Sequence, residues 1–177
     1  MTKISSRRAD GARERSGGQA MVEFAMVAPM LFLLIMGIIE AGRFIFFHET
    51  LNNATREGTR YAIVHGADSP NPSGPLPNGQ VNHYDPDGDK IIDRVRETAL
   101  DLASSGELVV YDPVWTNRQL SDIHPSPGDA STGTNDRGEY VTVFVDYIYR
   151  PLLDEIVSIG FLPDITISAE STLVINW

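Results

Sequence analysis

An unbroken apolar run near the N-terminus constrains the fold more than any other feature of the sequence. Phe24–Ile39, FAMVAPMLFLLIMGII, contains no charged side chain. As a helix this run covers about 24 Å, whereas a hydrocarbon core of about 30 Å needs about 20 residues. Glu40 and Arg43 lie three residues apart on one helical face and can neutralise each other, so the span extends to Phe47. We therefore predict one transmembrane helix over residues 24–47.

The charges on the two sides of this run differ strongly. Residues 1–18 carry five basic and two acidic side chains, whereas residues 66–177 carry six basic and eighteen acidic ones. The positive-inside rule therefore predicts a cytoplasmic N-terminus and an acidic C-terminal domain in the periplasm or outside the cell. A cleaved secretory signal peptide is the alternative, but it would have a shorter apolar region that ends in a small-x-small site.

The composition excludes several function classes. The chain has no cysteine, so it has no disulfide, no thiolate nucleophile and no cysteine-ligated metal. Its net charge of −10 argues against a nucleic-acid partner. It contains no G-x-S-x-G, P-loop, H-E-x-x-H or dinucleotide-binding motif, and we predict that it is not an enzyme.

The helical pattern continues beyond the membrane. Small or apolar residues recur from Leu51 to Ile63, while Glu49, Arg56, Glu57 and Arg60 form a polar face. Gly66 is a suitable C-terminal cap, which predicts one helix over residues 19–66. Such a helix is about 70 Å long, more than twice the bilayer, so its outer half must pack against other elements.

Two groups of residues in the membrane part are candidates for contacts between helices. Gly37 and Ala41 form a small-xxx-small pair, with Gly42 beside them, which allows close helix approach. Glu23 is a carboxylate at the edge of the hydrocarbon and has no basic residue within one turn. One interpretation is an ordinary acidic residue at a helix N-terminus. The other is that cleavage after Gly18 gives Gln19 an α-amino group that neutralises Glu23 of a neighbouring subunit.

The segment Gly18–Phe24 resembles the G-x4-E-[FY] processing site of prepilins and pseudopilins. Residues 15–67 resemble the TadE-like family of the Tad (tight adherence) pilus and secretion system. The similarity is carried by GQAMVEF at residues 18–24, by Pro29, by IEAGR at 39–43 and by NATREGTRYA at 53–62.

This resemblance implies a minor pilin-like protein of the bacterial inner (cytoplasmic) membrane. Gly18 and Gln19 would form the site cut by a prepilin peptidase, and Glu23 with Phe24 would register the helix during assembly. The implied partners are the membrane, the peptidase, major and minor pilins and the inner-membrane platform of the Tad system. The alternative is an uncleaved single-pass protein whose outer domain binds a periplasmic or extracellular partner.

Residues 67–177 are predicted to form an acidic, pilin-like α+β domain with an antiparallel sheet, beginning with a loop over 67–89. Carboxylates in this region have spacings typical of a calcium loop, although a Gly and a final Glu are missing; they are Asp85, Asp87, Asp89 and Asp93. The alternative is a solvated turn that caps the next helix. Apart from this weak calcium hypothesis, we predict no cofactor.

Alternation and turn residues predict the remaining elements. We expect an amphipathic helix over residues 90–105 with Asp89 as N-cap, and a helix or turn over 151–159. Strands are expected over residues 107–111, 139–150 and 165–175. Residues 112–138 are expected to be mostly loop, anchored by Trp115. The outer half of the long helix is expected to cover the sheet.

Overall fold

The computed structural model describes residues 10–103, 107–117, 125–152 and 163–176. The chain divides into two compact units, residues 1–42 and 43–177. In chain order the helices are α1 (Asp10–Val64), a 3-10 turn (Pro77–Gly79), α2 (Asp89–Thr98) and α3 (Leu100–Ala103). The strands are β1 (Leu108–Val110), β2 (Val114–Thr116), β3 (Tyr140–Tyr149) and β4 (Ile165–Val174). The predicted α+β class, with a long N-terminal helix followed by an antiparallel sheet, is confirmed.

Helix α1 begins earlier than the sequence predicts. The predicted start was residue 19, but the helix runs from Asp10 through the Gly17-Gly18 pair without a break. Helical hydrogen bonding therefore continues through two residues of low helix propensity. Pro29 lies inside the helix, and the end at Val64 agrees with the prediction.

The sheet is three strands wide, although it contains four strands. Strand β3 is central, β4 pairs with it along its full length, and β1 and β2 lie one after the other along its other edge. All pairings are antiparallel. The sequence predicted β1, β3 and β4 within two residues at each end, but it predicted loop where β2 forms.

One extra residue separates β1 from β2. Val110 is opposite Val145 and Val114 is opposite Thr142, so four steps along one strand match three along its partner. This is a β-bulge, and Pro113 lies within it. Neighbouring side chains of a strand point to opposite faces of the sheet. The extra residue of the bulge shifts this alternation by one position, so the side chain of Trp115 points toward the core. Trp115 is 3% exposed, which confirms the predicted anchor.

The core lies between the sheet and the outer half of α1, as predicted. On α1 the buried side chains include Leu51, Ala54 and Ala62. The inward face of β3 is fully apolar or aromatic and consists of Val141, Val143, Val145, Tyr147 and Tyr149. Helix α2 adds Ile91 and Val95 to this cluster.

Helix α2 differs from its prediction at both ends. Gly88, with φ of 80°, occupies the N-cap position instead of Asp89, which is the first helical residue. The helix stops at Thr98 because Ala99 leaves helical geometry, and α3 follows as a separate turn. Of the predicted helix or turn at 151–159, only Pro151 and Leu152 lie within the described residues.

Candidate functional site

The apolar part of α1 exposes hydrophobic side chains on all sides. Phe24 is 72% exposed, Met30 73% and Leu34 61%. In the described part of the chain this is the one helix long and apolar enough to cross a membrane, with a mean hydropathy of 2.4 in its most apolar window. A helix that is apolar all round needs lipid or other helices as its surroundings. These observations support membrane anchoring.

The residues predicted to form the processing site and to register the helix lie within two turns of each other on α1, where its apolar part begins. Gln19 donates a hydrogen bond from Nε2 to Glu23 Oε1 at 3.0 Å. Gly18, Gln19, Glu23 and Phe24 are all exposed. In the uncut chain, the carboxylate of Glu23 therefore has a partner one turn earlier in its own helix. Cleavage after Gly18 and pairing of Glu23 with another subunit stay predictions.

The predicted helix-packing residues are also accessible. Gly37, Ala41 and Gly42 are exposed, and a Cβ added to either glycine would meet no heavy atom within 4 Å. Another helix could therefore approach the backbone closely at this place. Whether one does so stays a prediction.

The four carboxylates of the calcium hypothesis do not converge. Asp87, Asp89 and Asp93 are exposed, whereas Asp85 is buried and receives the backbone N–H of Lys90 at 3.4 Å. Among the described residues, no group of three or more His, Cys, Asp or Glu side chains is placed to hold a metal ion. This arrangement favours the alternative interpretation, a turn that caps α2, with Asp85 as the capping residue. Calcium binding stays a prediction.

The polar face of α1 in the outer domain is accessible. Glu49, Asn53, Arg56 and Arg60 are exposed, on the side opposite the core. Thr55 and Thr59 are buried on the other side. Each donates a hydrogen bond from its hydroxyl to the backbone carbonyl one turn earlier. This face can contact a partner without disturbing the core.

A cavity of about 390 Å³ lies at one end of the sheet. Arg150 lines it and forms ion pairs with Glu107 at 2.6 Å and Asp164 at 3.7 Å. Arg43 also lines it, with its guanidinium carbon 5.5 Å from the ring centres of Phe47 and Tyr149. The ion pairs hold the end of β3 to the residue before β1 and to the residue before β4.

Two tyrosines have perturbed acidity. The hydrogen bond that Tyr111 donates to Asp146, at 2.8 Å, raises the pKa of the phenol because the ionised form would lose the bond and face a carboxylate. Burial, aided by nearby Tyr84, raises the pKa of Tyr61. Both phenols are therefore neutral at physiological pH.

Sequence reasoning missed the buried amides that shape the loop over 67–89. Asn82 donates to the carbonyls of Pro72, Gly74 and Asp85 at 2.8–2.9 Å. Asn135, fully buried, donates to the carbonyl of Ser73 at 3.0 Å. Asparagine is so common in loops that its presence gave no signal of burial.

An exposed apolar helix joined to a domain with an antiparallel sheet defines the class: a mixed α+β protein with a long N-terminal apolar helix. Residues 18–60 match the family model described as TadE-like protein, which confirms the resemblance over this segment. The match covers the predicted processing motif, the apolar segment and much of the outer half of α1. The TadE-like family suggests a pilin-like protein associated with the Tad pilus.

Neither of two further comparisons found a match. No curated protein matches the chain, and no solved structure matches it.

Proposed function

We propose that this protein is a membrane-anchored, pilin-like structural component in assembly of a Tad pilus or secretion system. The observation that carries the proposal is the coincidence of the TadE-like match, residues 18–60, with a helix whose apolar segment is exposed on all sides. Such a segment requires a bilayer or a helical bundle. The TadE-like resemblance implies both surroundings, a membrane before assembly and neighbouring pilin helices after it.

In this proposal the protein lies in the bacterial inner membrane, with residues 1–18 in the cytoplasm and residues 67–177 outside it. A prepilin peptidase cuts after Gly18, and Gln19 becomes the new N-terminus. The cut releases the basic leader and exposes an α-amino group on Gln19, which can neutralise Glu23 of a neighbouring subunit. Glu23 and Phe24 then set the axial position of the helix against neighbouring major and minor pilins and the inner-membrane platform.

Mass spectrometry of the membrane-extracted protein tests the processing step. In cells that have the peptidase we expect a new N-terminus at Gln19, and Gly18→Leu should leave the leader attached. Gly17→Leu is the matched control, because it adds the same side chain one residue away from the cut. An intact leader on the unmodified chain in such cells would reject processing.

A second candidate is an uncleaved single-pass protein whose outer domain binds a periplasmic or extracellular partner. Two observations favour it: α1 is continuous across Gly18, and Gln19 already supplies a hydrogen bond to Glu23. A peptidase would have to unwind this helix to reach the Gly18–Gln19 bond. The same mass measurement separates the two candidates.

A further inference from the structure

Arg56 and Arg60, on the outer half of α1, lack a partner among the described residues. Arg56 and Arg60 are exposed one helical turn apart, and neither side chain forms an ion pair, hydrogen bond or ring contact with the described part of the chain. Like charges at this spacing destabilise a helix by about 0.2–0.5 kcal/mol. Glu57 lies three residues before Arg60, a spacing that can offset part of this cost, but the two side chains form no ion pair in the described chain.

The other cations described in residues 43–177 all have contacts. Arg94 pairs with Glu97 at 3.2 Å, Arg96 with Asp93 at 4.0 Å, and Arg150 with Glu107 at 2.6 Å. Lys90 lies over the Tyr84 ring, Arg43 lies over two aromatic rings, and Arg137 also has a contact. Arg56 and Arg60 are thus exceptional in a unit that carries nine basic and twenty acidic side chains.

The complementary feature is the turn before α2. Asp87 and Asp89 are exposed on either side of Gly88, and neither carboxylate has a partner in the described chain. Nowhere else in the described residues do two unpaired, exposed carboxylates lie within two positions of each other. Gly88 is buried, with φ of 80°, and a Cβ there would be 2.8 Å from the Trp115 ring, so the turn is held in place.

The two features cannot meet within one chain. Gly58 faces α2, since its added Cβ would be 2.5 Å from Val95 and 3.6 Å from Ile91. Arg56 and Arg60 are two residues before and after Gly58, which is about 200° around the helix in either direction. They therefore lie on the side of α1 away from α2 and from the turn that precedes it.

A lipid surface is a less suitable partner for Arg56 and Arg60 than a protein. Arg56 is nine residues beyond Phe47, where the predicted membrane span ends, which is about 14 Å along the helix. The headgroup layer occupies about 5–7 Å of this distance, so Arg56 lies about one Debye length, about 8 Å, from headgroup charge, and its attraction to that charge is reduced.

We propose that Arg56 and Arg60 bind the Asp87–Asp89 turn of a second copy of this chain. The proposal rests on the function proposed above and names one of its contact surfaces. Because the two patches lie on different faces of the domain, the contact is head-to-tail and can repeat along a filament. In a unit of strong net negative charge, other contacts between copies bring like charges together, so this pairing also selects the register.

Cross-linking of the full-length chain in membranes tests the contact. The protein has no cysteine, so single cysteines can be introduced without background. Asn53→Cys, one turn before Arg56, is placed in one tagged copy, and Pro86→Cys, beside Asp87, in a copy with a different tag. A short bismaleimide should join the two tags, whereas Glu170→Cys in place of Pro86→Cys should give little product.

Charge reversal supplies the decisive comparison. R56E/R60E in the first copy, or D87K/D89K in the second, should lower the product by about tenfold, and the two together should restore it. A product that is absent, indifferent to charge or not restored overturns the proposal. R56Q/R60Q, checked by thermal unfolding, should also lower the yield and excludes misfolding as the cause.

Carbonate extraction and the N-terminal mass of the same samples separate this proposal from the proposed function. A membrane-inserted, processed protein without charge-dependent cross-linking overturns the contact alone. A protein released by carbonate overturns the proposed function and, with it, the contact.

Discussion

Gly58 of α1 and Val95 of α2 are packed so closely that a Cβ on Gly58 would be 2.5 Å from Val95 Cγ2. The same Cβ would be 3.6 Å from Val143 Cγ1 on β3. Gly58 is therefore where α1, α2 and the sheet meet, and it lies inside the segment that matches the TadE-like model.

Gly58→Ala should lower the free energy of unfolding by up to about 2 kcal/mol. The added methyl group overpacks a rigid, β-branched neighbour at a cost of about 1–3 kcal/mol, and better helix propensity offsets about 1 kcal/mol of that cost. Thermal unfolding in detergent measures it. Gly42→Ala is the control, since its Cβ would meet nothing within 4 Å. Equal stability of Gly58→Ala and the unmodified protein would contradict the packing.

Asn82→Asp should destabilise the outer domain by about 1–3 kcal/mol, because a carboxylate cannot donate to the buried carbonyls that now receive the amide hydrogens. Urea unfolding followed by tryptophan fluorescence measures the change, since Trp115 packs against Gly74 of the same loop. Asn78→Asp, at an exposed turn, is the matched control. A midpoint that moves equally in both variants would argue against the role of Asn82.

The sequence predicted the elements whose periodicity is long and regular. Strands β3 and β4 alternate over ten residues each, and α1 combines an unbroken apolar run with an amphipathic extension. Strand β2 has three residues and follows a proline, so alternation could not reveal it. Its inward-facing tryptophan depends on a bulge, which is a property of the pairing with β3.

The candidate site was predictable only in part. The TadE-like segment was recognisable because its residues follow one another in the chain. The capping role of Asp85 was not recognisable. It depends on a glycine in the N-cap position and on a hydrogen bond from the backbone N–H five residues later to the carboxylate. Likewise, the absence of partners for Arg56 and Arg60 among the described residues depends on where the described acidic side chains lie.

Tyr111 should ionise above its ordinary pKa of 10.0. The pKa is raised in the folded state, so this group contributes stability that is complete below the unfolded pKa and is lost as pH rises through the folded pKa. Ultraviolet titration of the phenols, compared with Tyr111→Phe, identifies its step. Asp146→Asn should move the step to lower pH. A step that does not move would show that Asp146 is not the cause.

Glu23→Gln should abolish or strongly reduce fibre production while leaving membrane insertion intact, because a neutral amide cannot form the proposed ion pair with a new N-terminal amine. Electron microscopy of sheared fibres and carbonate extraction measure the two outcomes. Gln19→Ala is the control: it removes the hydrogen bond within the helix but keeps both the carboxylate and the amine. An unchanged yield of fibres with Glu23→Gln would contradict the proposal that Glu23 sets the axial position of the helix.

The extra residue between Val110 and Val114 makes the spacing of this short stretch as important as its chemistry. If the same residues continued β1 as a regular strand, Val114 would lie opposite Val141 and Trp115 opposite Tyr140. The indole of Trp115 would then point away from the core, and the space beside Gly74 and Gly88 would be empty. Losing one residue here would remove the bulge and keep Trp115 opposite Val141, whereas an added residue would have to be absorbed by a second irregularity in the strand.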